Sequence, residues 1–361
     1  MFRNRWFLSC AAALAIVSVP AGADETSTDE DFAASFDSAF GTEMRTPTTF
    51  QAIYATSFEQ QIADLADGSK GRIGVYAIDL ETGEEITVLS EMRFPMASTS
   101  KVAVAATFLA GVDEGKYSLT SEYPLMIRLR SKKFSSERAP VKEGKYLPAY
   151  ELIDLMISKS CNSCTDALLK VVGGPEAVNK WMREEAEIKE FELSRDIATL
   201  VRDDGEFDPV EWIDPRDSAT PRAMGKLLAG LYQGEWLSEE SRQVLFAALG
   251  ETTTGRRRMN AALPVEAALA HKTGTLSRTA SDIGIFRLAD GRAIAAAIYV
   301  TGQSANLIDE SRNKRAARKR RDERIAAITR ALYTGFSAKA GLLDDPTSGW
   351  VSAPPAPATG G

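Results

Sequence analysis

Histidine is nearly missing from this chain, with His271 alone among 361 residues. That excludes a zinc centre built from several histidines, although one histidine still leaves a Ser-His-Asp arrangement open. Cysteine is scarce too, confined to Cys10, Cys161 and Cys164. The last two form CNSC, a C-x-x-C spacing that invites a redox reading, but no thioredoxin-like strand-turn-helix pattern precedes it. Excess positive charge is also absent: 43 lysines and arginines face 50 acids, a formal charge of -7. Such a chain is a poor phosphate binder, which argues against a nucleic-acid partner. The apolar run near the N-terminus falls short of the roughly 20 residues that a spanning helix needs, so no stable membrane insertion is expected.

What is present is ordinary for a soluble globular protein, 44% hydrophobic and 26% charged, with length for one large or two modest domains. The start, MFRNRWFLSCAAALAIVSVPAGA, places Arg3 and Arg5 before an apolar run and ends in a small-x-small site. It reads as a secretory signal over residues 1–23, cut after Ala23, and implies a periplasmic location. Its removal takes away two arginines and no acid, so the mature chain is more acidic still. Residues 24–50 are rich in Asp, Glu, Ser and Thr and read as a flexible linker. Residues 343–361, with four prolines, read as a disordered tail. The basic run 312–321 fits a solvated helix face or a contact with an anionic surface.

Between these ends, Phe58, Ile62 and Leu65 recur at helical spacing, and residues 72–80 and 85–89 read as two strands around a turn at Glu81-Thr82-Gly83. A buried helix is expected over 100–114, closed by Gly115. The stretch 95–221 shows helices and polar loops without a convincing strand pair. Strands return at 267–274, 283–288 and 293–301, followed by an amphipathic helix over 321–336. The expected fold is therefore α/β (α+β): an antiparallel sheet flanked by helices, built from 51–94 and 222–342, with an all-helical domain inserted at 95–221.

Chemistry enters at FPMASTSK, where Ser98 stands three residues ahead of Lys101 at a helix start. The spacing alone decides little, since Ser311 and Lys314 repeat it inside the basic run. Two further motifs give it context: Ser160-Cys161-Asn162 in a loop, and Lys272-Thr273-Gly274 on a strand. A serine and lysine at i and i+3 share a helix face, so an amine kept neutral by burial and neighbouring positive charge can take the serine proton.

In order and context these motifs resemble the class A serine β-lactamases and the related penicillin-binding peptidases. FPMASTSKV, VVGGPEAV, DSATP and TTTG support the likeness, which spans roughly residues 57–336. The resemblance implies a β-lactamase/transpeptidase-like fold, a β-lactam or D-Ala-D-Ala peptide substrate, no metal or organic cofactor, and a monomer. Ser98 would be the nucleophile and Lys101 its base. Ser160 would protonate the departing nitrogen, and Lys272 would orient Ser160 and a substrate carboxylate. Asn162, Thr273, Gly274 and Thr275 would contact substrate, with backbone N–H groups of Ser98 and Thr275 as the oxyanion hole. His271, beside Lys272 on a strand, should face the other way and be structural.

Arg258 stands fourteen residues ahead of Lys272, a known place for a carboxylate-binding guanidinium in this family, although Arg256 and Arg257 make a solvated basic cluster an equal reading. Cys161 replaces the aspartate usual in its motif. The larger departure lies ahead of DSATP, where class A enzymes carry E-x-x-L-N to activate the deacylating water; FELSRDIATLVRDDGEFDPVEWIDPRD holds no such pattern and is longer than usual. Asp196, Glu206 and Glu211 are the acidic candidates, with Glu206 the one chosen. A wall peptidase or a penicillin-binding sensor without turnover would also account for the missing glutamate.

Overall fold

The computed structural model describes residues 56–341; the expected signal, linker and tail lie outside the described residues. Thr56 opens the first helix, α1 (Ser57–Leu65), through a capping box: its hydroxyl accepts from Glu59 N while the Glu59 carboxylate accepts from Thr56 N. Five antiparallel strands then form the main sheet in the order β2-β1-β10-β9-β8, with β1 Ile73–Asp79, β2 Glu85–Val88, β8 Ala270–Leu276, β9 Thr279–Arg287 and β10 Ala293–Thr301. The first two come from one end of the described chain and the last three from the other.

The central strand β10 is apolar throughout because both of its faces are covered. Ala295, Ala297 and Tyr299 join one hydrophobic cluster, while Ile294, Ala296, Ile298 and Val300 join another, the two-residue alternation of a strand. The second cluster includes Phe58, Ile62, Ile328, Leu332 and Phe336, from α1 and the long helix α10 (Lys314–Lys339). Each fully buried aliphatic side chain there contributes roughly 1.5–3 kcal/mol relative to exposure.

The first cluster carries the helices of the middle of the chain. A 3₁₀ turn, Ala97–Ser100, leads into α2 (Lys101–Asp113), which is apolar around its circumference and buried on all sides. The same cluster takes in α3 (Ala149–Ser158), α4 (Asn162–Val172), α5 (Pro175–Glu184), α7 (Pro221–Gln233) and α8 (Glu239–Gly250). One expectation fails here: the middle stretch contains a hairpin, β4 (Glu122–Arg128) with β5 (Val141–Pro148). Its strands are largely solvent-facing, interrupted by Pro124 and Gly144, and shift register between Pro124 and Met126. No clean apolar-polar alternation survives in such a ribbon.

A small sheet joins β3 (Phe94–Pro95), β7 (Ser218–Ala219) and β6 (Phe191–Glu192) in the order β3-β7-β6. It ties the approach to Ser98 to both ends of a long loop, within which α6 (Ile197–Arg202) forms. The remaining helix, α9 (Leu307–Arg312), precedes α10. The basic run expected at 312–321 divides in the fold: Arg312, Lys314, Arg315, Arg318 and Lys319 are exposed, whereas Arg321 is buried and paired with Glu310.

Candidate active site

Ser98 lies in the 3₁₀ turn, directly after Ala97, whose φ of 51° is left-handed for a residue with a side chain. The turn is pinned from two sides. Met96 N donates to Asp217 O at 2.9 Å, and β8 passes so close that a Cβ on Gly274 would lie 2.6 Å from Met96 O and 3.1 Å from Ala97 Cβ. Glycine at 274 is thus what lets the strand reach the serine turn.

One turn on, the Lys101 side chain is fully buried, and its Nζ donates to Ser160 O at 2.8 Å and Asn162 Oδ1 at 2.7 Å. Ser160 Oγ is 3.2 Å away. Burial, with the Lys272 charge beside it, holds this amine well below the usual lysine range. A neutral amine has two hydrogens and one lone pair; the two acceptors take the hydrogens, which leaves the lone pair for a hydroxyl. Ser160, at φ 58°, reaches into the same space from the junction of α3 and α4.

From β8, Lys272 Nζ donates to Ser160 Oγ at 3.0 Å and to Thr273 O at 3.0 Å. Burial lowers its pKa to about 7; Asp282 pulls it back up and Arg258 pushes it further down. Thr273 Oγ1 lies 2.6 Å from Thr254 Oγ1, and Thr275 is exposed at the strand end. The S-x-x-K, S-C-N and K-T-G side chains, forty residues or more apart from one motif to the next, therefore meet at one hydroxyl. His271 faces away, as its neighbour's direction requires: it is buried, with Nδ1 2.8 Å from Asp282 Oδ1.

Arg258 is buried, whereas Arg256 and Arg257 are exposed, so the solvated-cluster reading does not hold for it. Its Nη1 donates to Gly274 O and Ser281 O, its Nε to Asp322, and its Nη2 to Thr275 Oγ1 at 2.7 Å. The guanidinium is committed to protein acceptors and meets the cleft through the Thr275 hydroxyl.

Glu206, the acid chosen from the sequence, sits in different surroundings from the motif side chains. Its carboxylate accepts from Arg216 Nη2 at 2.7 Å and lies 3.8 Å from Arg195. It lines a small cleft with Arg195, Asp214 and Phe207 that includes none of Ser98, Lys101, Ser160 and Lys272. Two guanidinium groups have claimed it. Asp196 is also committed, as the N-cap of α6 accepting from Thr199 N, and Glu211 is exposed.

The acid nearest in influence to Lys101 is one that sequence reasoning missed, Asp166 on α4. It is buried, and its two oxygens accept from Ile197 N at 2.7 Å and Ala198 N at 2.9 Å, fastening the long loop to α4. Burial raises its pKa to about 7, against the pull of those amides and of Lys101. The available signal was its position four residues after Asn162, on a buried helix segment with Cys164, Thr165, Ala167 and Leu168.

Among the described residues, no group of three or more His, Cys, Asp and Glu could hold a metal ion, and no helix is long and apolar enough to cross a membrane. Compared with known proteins, residues 57–336 match the model of the Beta-lactamase enzyme family. The extended-spectrum beta-lactamase PER-1 of Pseudomonas aeruginosa is 30% identical over 71% of this chain and 86% of its own length. Beta-lactamase VEB-1 of the same organism is 27% identical over 66% and 81%. Among solved structures, an ancestral class A beta-lactamase superimposes with a TM-score of 0.63 at 31% identity, covering 77% of this chain and all of that one. A beta-lactamase from Chitinophaga pinensis gives 0.64 at 26% identity, over 78% and 100%.

Proposed function

This chain belongs to the β-lactamase enzyme family, and we propose that it opens β-lactam amides through an acyl-Ser98 intermediate with the residue roles that follow. It is a serine β-lactamase of the class A type. In the first step neutral Lys101 accepts the Ser98 proton as the Ser98 oxygen bonds to the lactam carbonyl carbon. The backbone N–H groups of Ser98 and Thr275 receive the negative charge that develops on the carbonyl oxygen. As the C–N bond breaks, Ser160 passes its proton to the departing nitrogen and is reprotonated from Lys101. Water then adds to the ester and releases the opened product.

The observation that carries this reading is the sharing of one hydroxyl by two amines: Ser160 Oγ lies 3.0 Å from Lys272 Nζ and 3.2 Å from Lys101 Nζ. A hydroxyl so placed can relay a proton between a base and a leaving group. Lys272, when charged, attracts the substrate carboxylate. Thr273, Thr275 and Asn162 contact the substrate, and Arg258 positions the Thr275 hydroxyl. The cycle draws on protein groups and water alone.

The same reading keeps residues 51–94 and 222–342 as an α/β domain and 95–221 as a helical insertion with the cleft at their seam. It also takes the chain to be a periplasmic monomer delivered by a cleaved signal at residues 1–23. Hydrolysis of a chromogenic cephalosporin by the purified protein tests the function. The wild type should turn it over, and Ser98→Ala should lose at least about 1,000-fold in kcat/KM. A Ser98→Ala protein that retains wild-type turnover refutes the nucleophile.

A further inference from the structure

Cys161 and Cys164 are joined as a disulfide, with Cα atoms 5.3 Å apart, at the start of α4. Cys161 is the N-cap residue of that helix, where its sulfur accepts from Cys164 N at 3.1 Å. Sulfur is a weak acceptor, and cysteine is not among the residues that cap helices well. Here the cap is reinforced covalently, because Cys164 is fully buried in the main hydrophobic cluster. The bond encloses Asn162 and Ser163, and Ser160, with its left-handed φ, immediately precedes it. Both hydrogen-bond acceptors that hold Lys101, Ser160 O and Asn162 Oδ1, are therefore attached to this crosslink. Asn162 is itself exposed. Nothing in its own burial fixes it.

Resting on the residue roles just proposed, we infer that the Cys161–Cys164 disulfide is a positioning element for acylation, a covalent N-cap that holds Ser160 and Asn162 against Lys101, so that activity depends on its being oxidised. A dithiol would reverse it by exchange: its thiolate attacks one sulfur, the second thiol closes on the mixed disulfide, and Cys161 and Cys164 leave as thiols while the dithiol becomes a cyclic disulfide. The freed chain then lacks both the crosslink and a good side-chain cap.

The test uses the full chain, reduced with dithiothreitol, desalted and compared with the untreated protein. Thiols are counted by maleimide mass shift, and acylation by a penicillin is followed by intact mass. The second arm compares the double variants Cys161→Ala/Cys164→Ala, without crosslink or side-chain cap, and Cys161→Asp/Cys164→Ala, with a carboxylate cap. Reduction and the first variant should each lower the acylation rate about 10-fold and move the acid limb of its pH profile, because Lys101 loses the partners that hold it. Reoxidation should reverse the former, and the carboxylate cap should restore most of the latter while making it indifferent to dithiothreitol. If the bond resists the dithiol, the variants decide alone; if they fail to fold, the reduced wild type decides. The proposal is overturned if Cys161 and Cys164 are already free thiols in the untreated protein, or if the reduced wild type or the uncapped variant acylates within about two-fold of the oxidised enzyme. An oxidised wild type that forms no adduct at all refutes the β-lactamase roles instead.

Discussion

Two polar regions of the molecule use their charged residues in opposite ways. In one, Lys101, Ser160 and Lys272 are turned toward each other, with two amines converging on one hydroxyl. In the other, the loop from Arg195 to Asp217, charge is just as dense, yet Asp217, Asp196 and Glu206 are each engaged within the loop. Asp217 accepts from Ser194 N, Arg195 N and Arg195 Nε; Asp196 caps α6; Glu206 pairs with Arg216. In the first region the polar groups are partnered with one another, with both buried amines sharing the Ser160 hydroxyl. In the second the charge holds the loop's own shape.

The comparison breaks most readily at the loop's base. Asp217 is 2% exposed and faces Arg195 Nε at 2.5 Å, and burial raises its pKa against the pull of that guanidinium. Asp217→Ala leaves Arg195 and two amide N–H groups without their acceptor. It should cost about 3–5 kcal/mol in chemical denaturation. Because Asp217 O also holds Met96 N, turnover should fall along with stability. An Asp217→Ala enzyme of wild-type stability would show that the loop is held elsewhere.

Asp166→Asn sharpens the contrast by testing the link between the helix that carries Asn162 and the loop. Two N–H groups point at this side chain, and an amide can accept from only one of them while its own NH₂ faces the other. A loss of about 1–3 kcal/mol is expected. The pH dependence is more specific. With the folded pKa raised to about 7 from 3.8, the folded protein holds a proton that the unfolded chain has released. Stability from this group is therefore fully present below 3.8, falls as pH rises toward about 7, and changes no further above it. The wild type minus Asp166→Asn difference should show that slope in urea denaturation across this window. A flat difference would mean that Asp166 is ionised throughout.

Glu206→Gln should have the smallest effect. It exchanges a partly exposed ion pair for a hydrogen bond, worth about 0–1 kcal/mol. The lifetime of a penicillin acyl-enzyme should stay within about two-fold of wild type. An adduct that accumulates in Glu206→Gln alone would restore Glu206 as the water-activating carboxylate.

What could be read from the sequence follows the same division. That Lys101, Ser160, Asn162 and Lys272 come together could be anticipated because their motifs are residue types at fixed short spacings. The strand 293–301 was legible because a sheet covered on both faces needs a continuous apolar run. The β4–β5 hairpin was not, since a solvent-facing ribbon with a register shift keeps no periodicity. Asp166 was not either: its partners, Ile197 and Ala198, are 31 and 32 residues away and contribute backbone amides, which carry no sequence signature. The spacing of CNSC left the state of its cysteines open, and Arg258 could be told from its neighbours only once its burial was known.

The central claim is that Ser98, served by Lys101 and Ser160, is acylated and then freed. Its most direct test is a quenched time course of intact mass and peptide mapping after the wild-type protein is mixed with a penicillin. The account predicts one adduct of the penicillin's mass, on the peptide containing Ser98, that forms first and then clears as the substrate is consumed. An adduct on Ser160 or Ser311, or one on Ser98 that never clears, would contradict it.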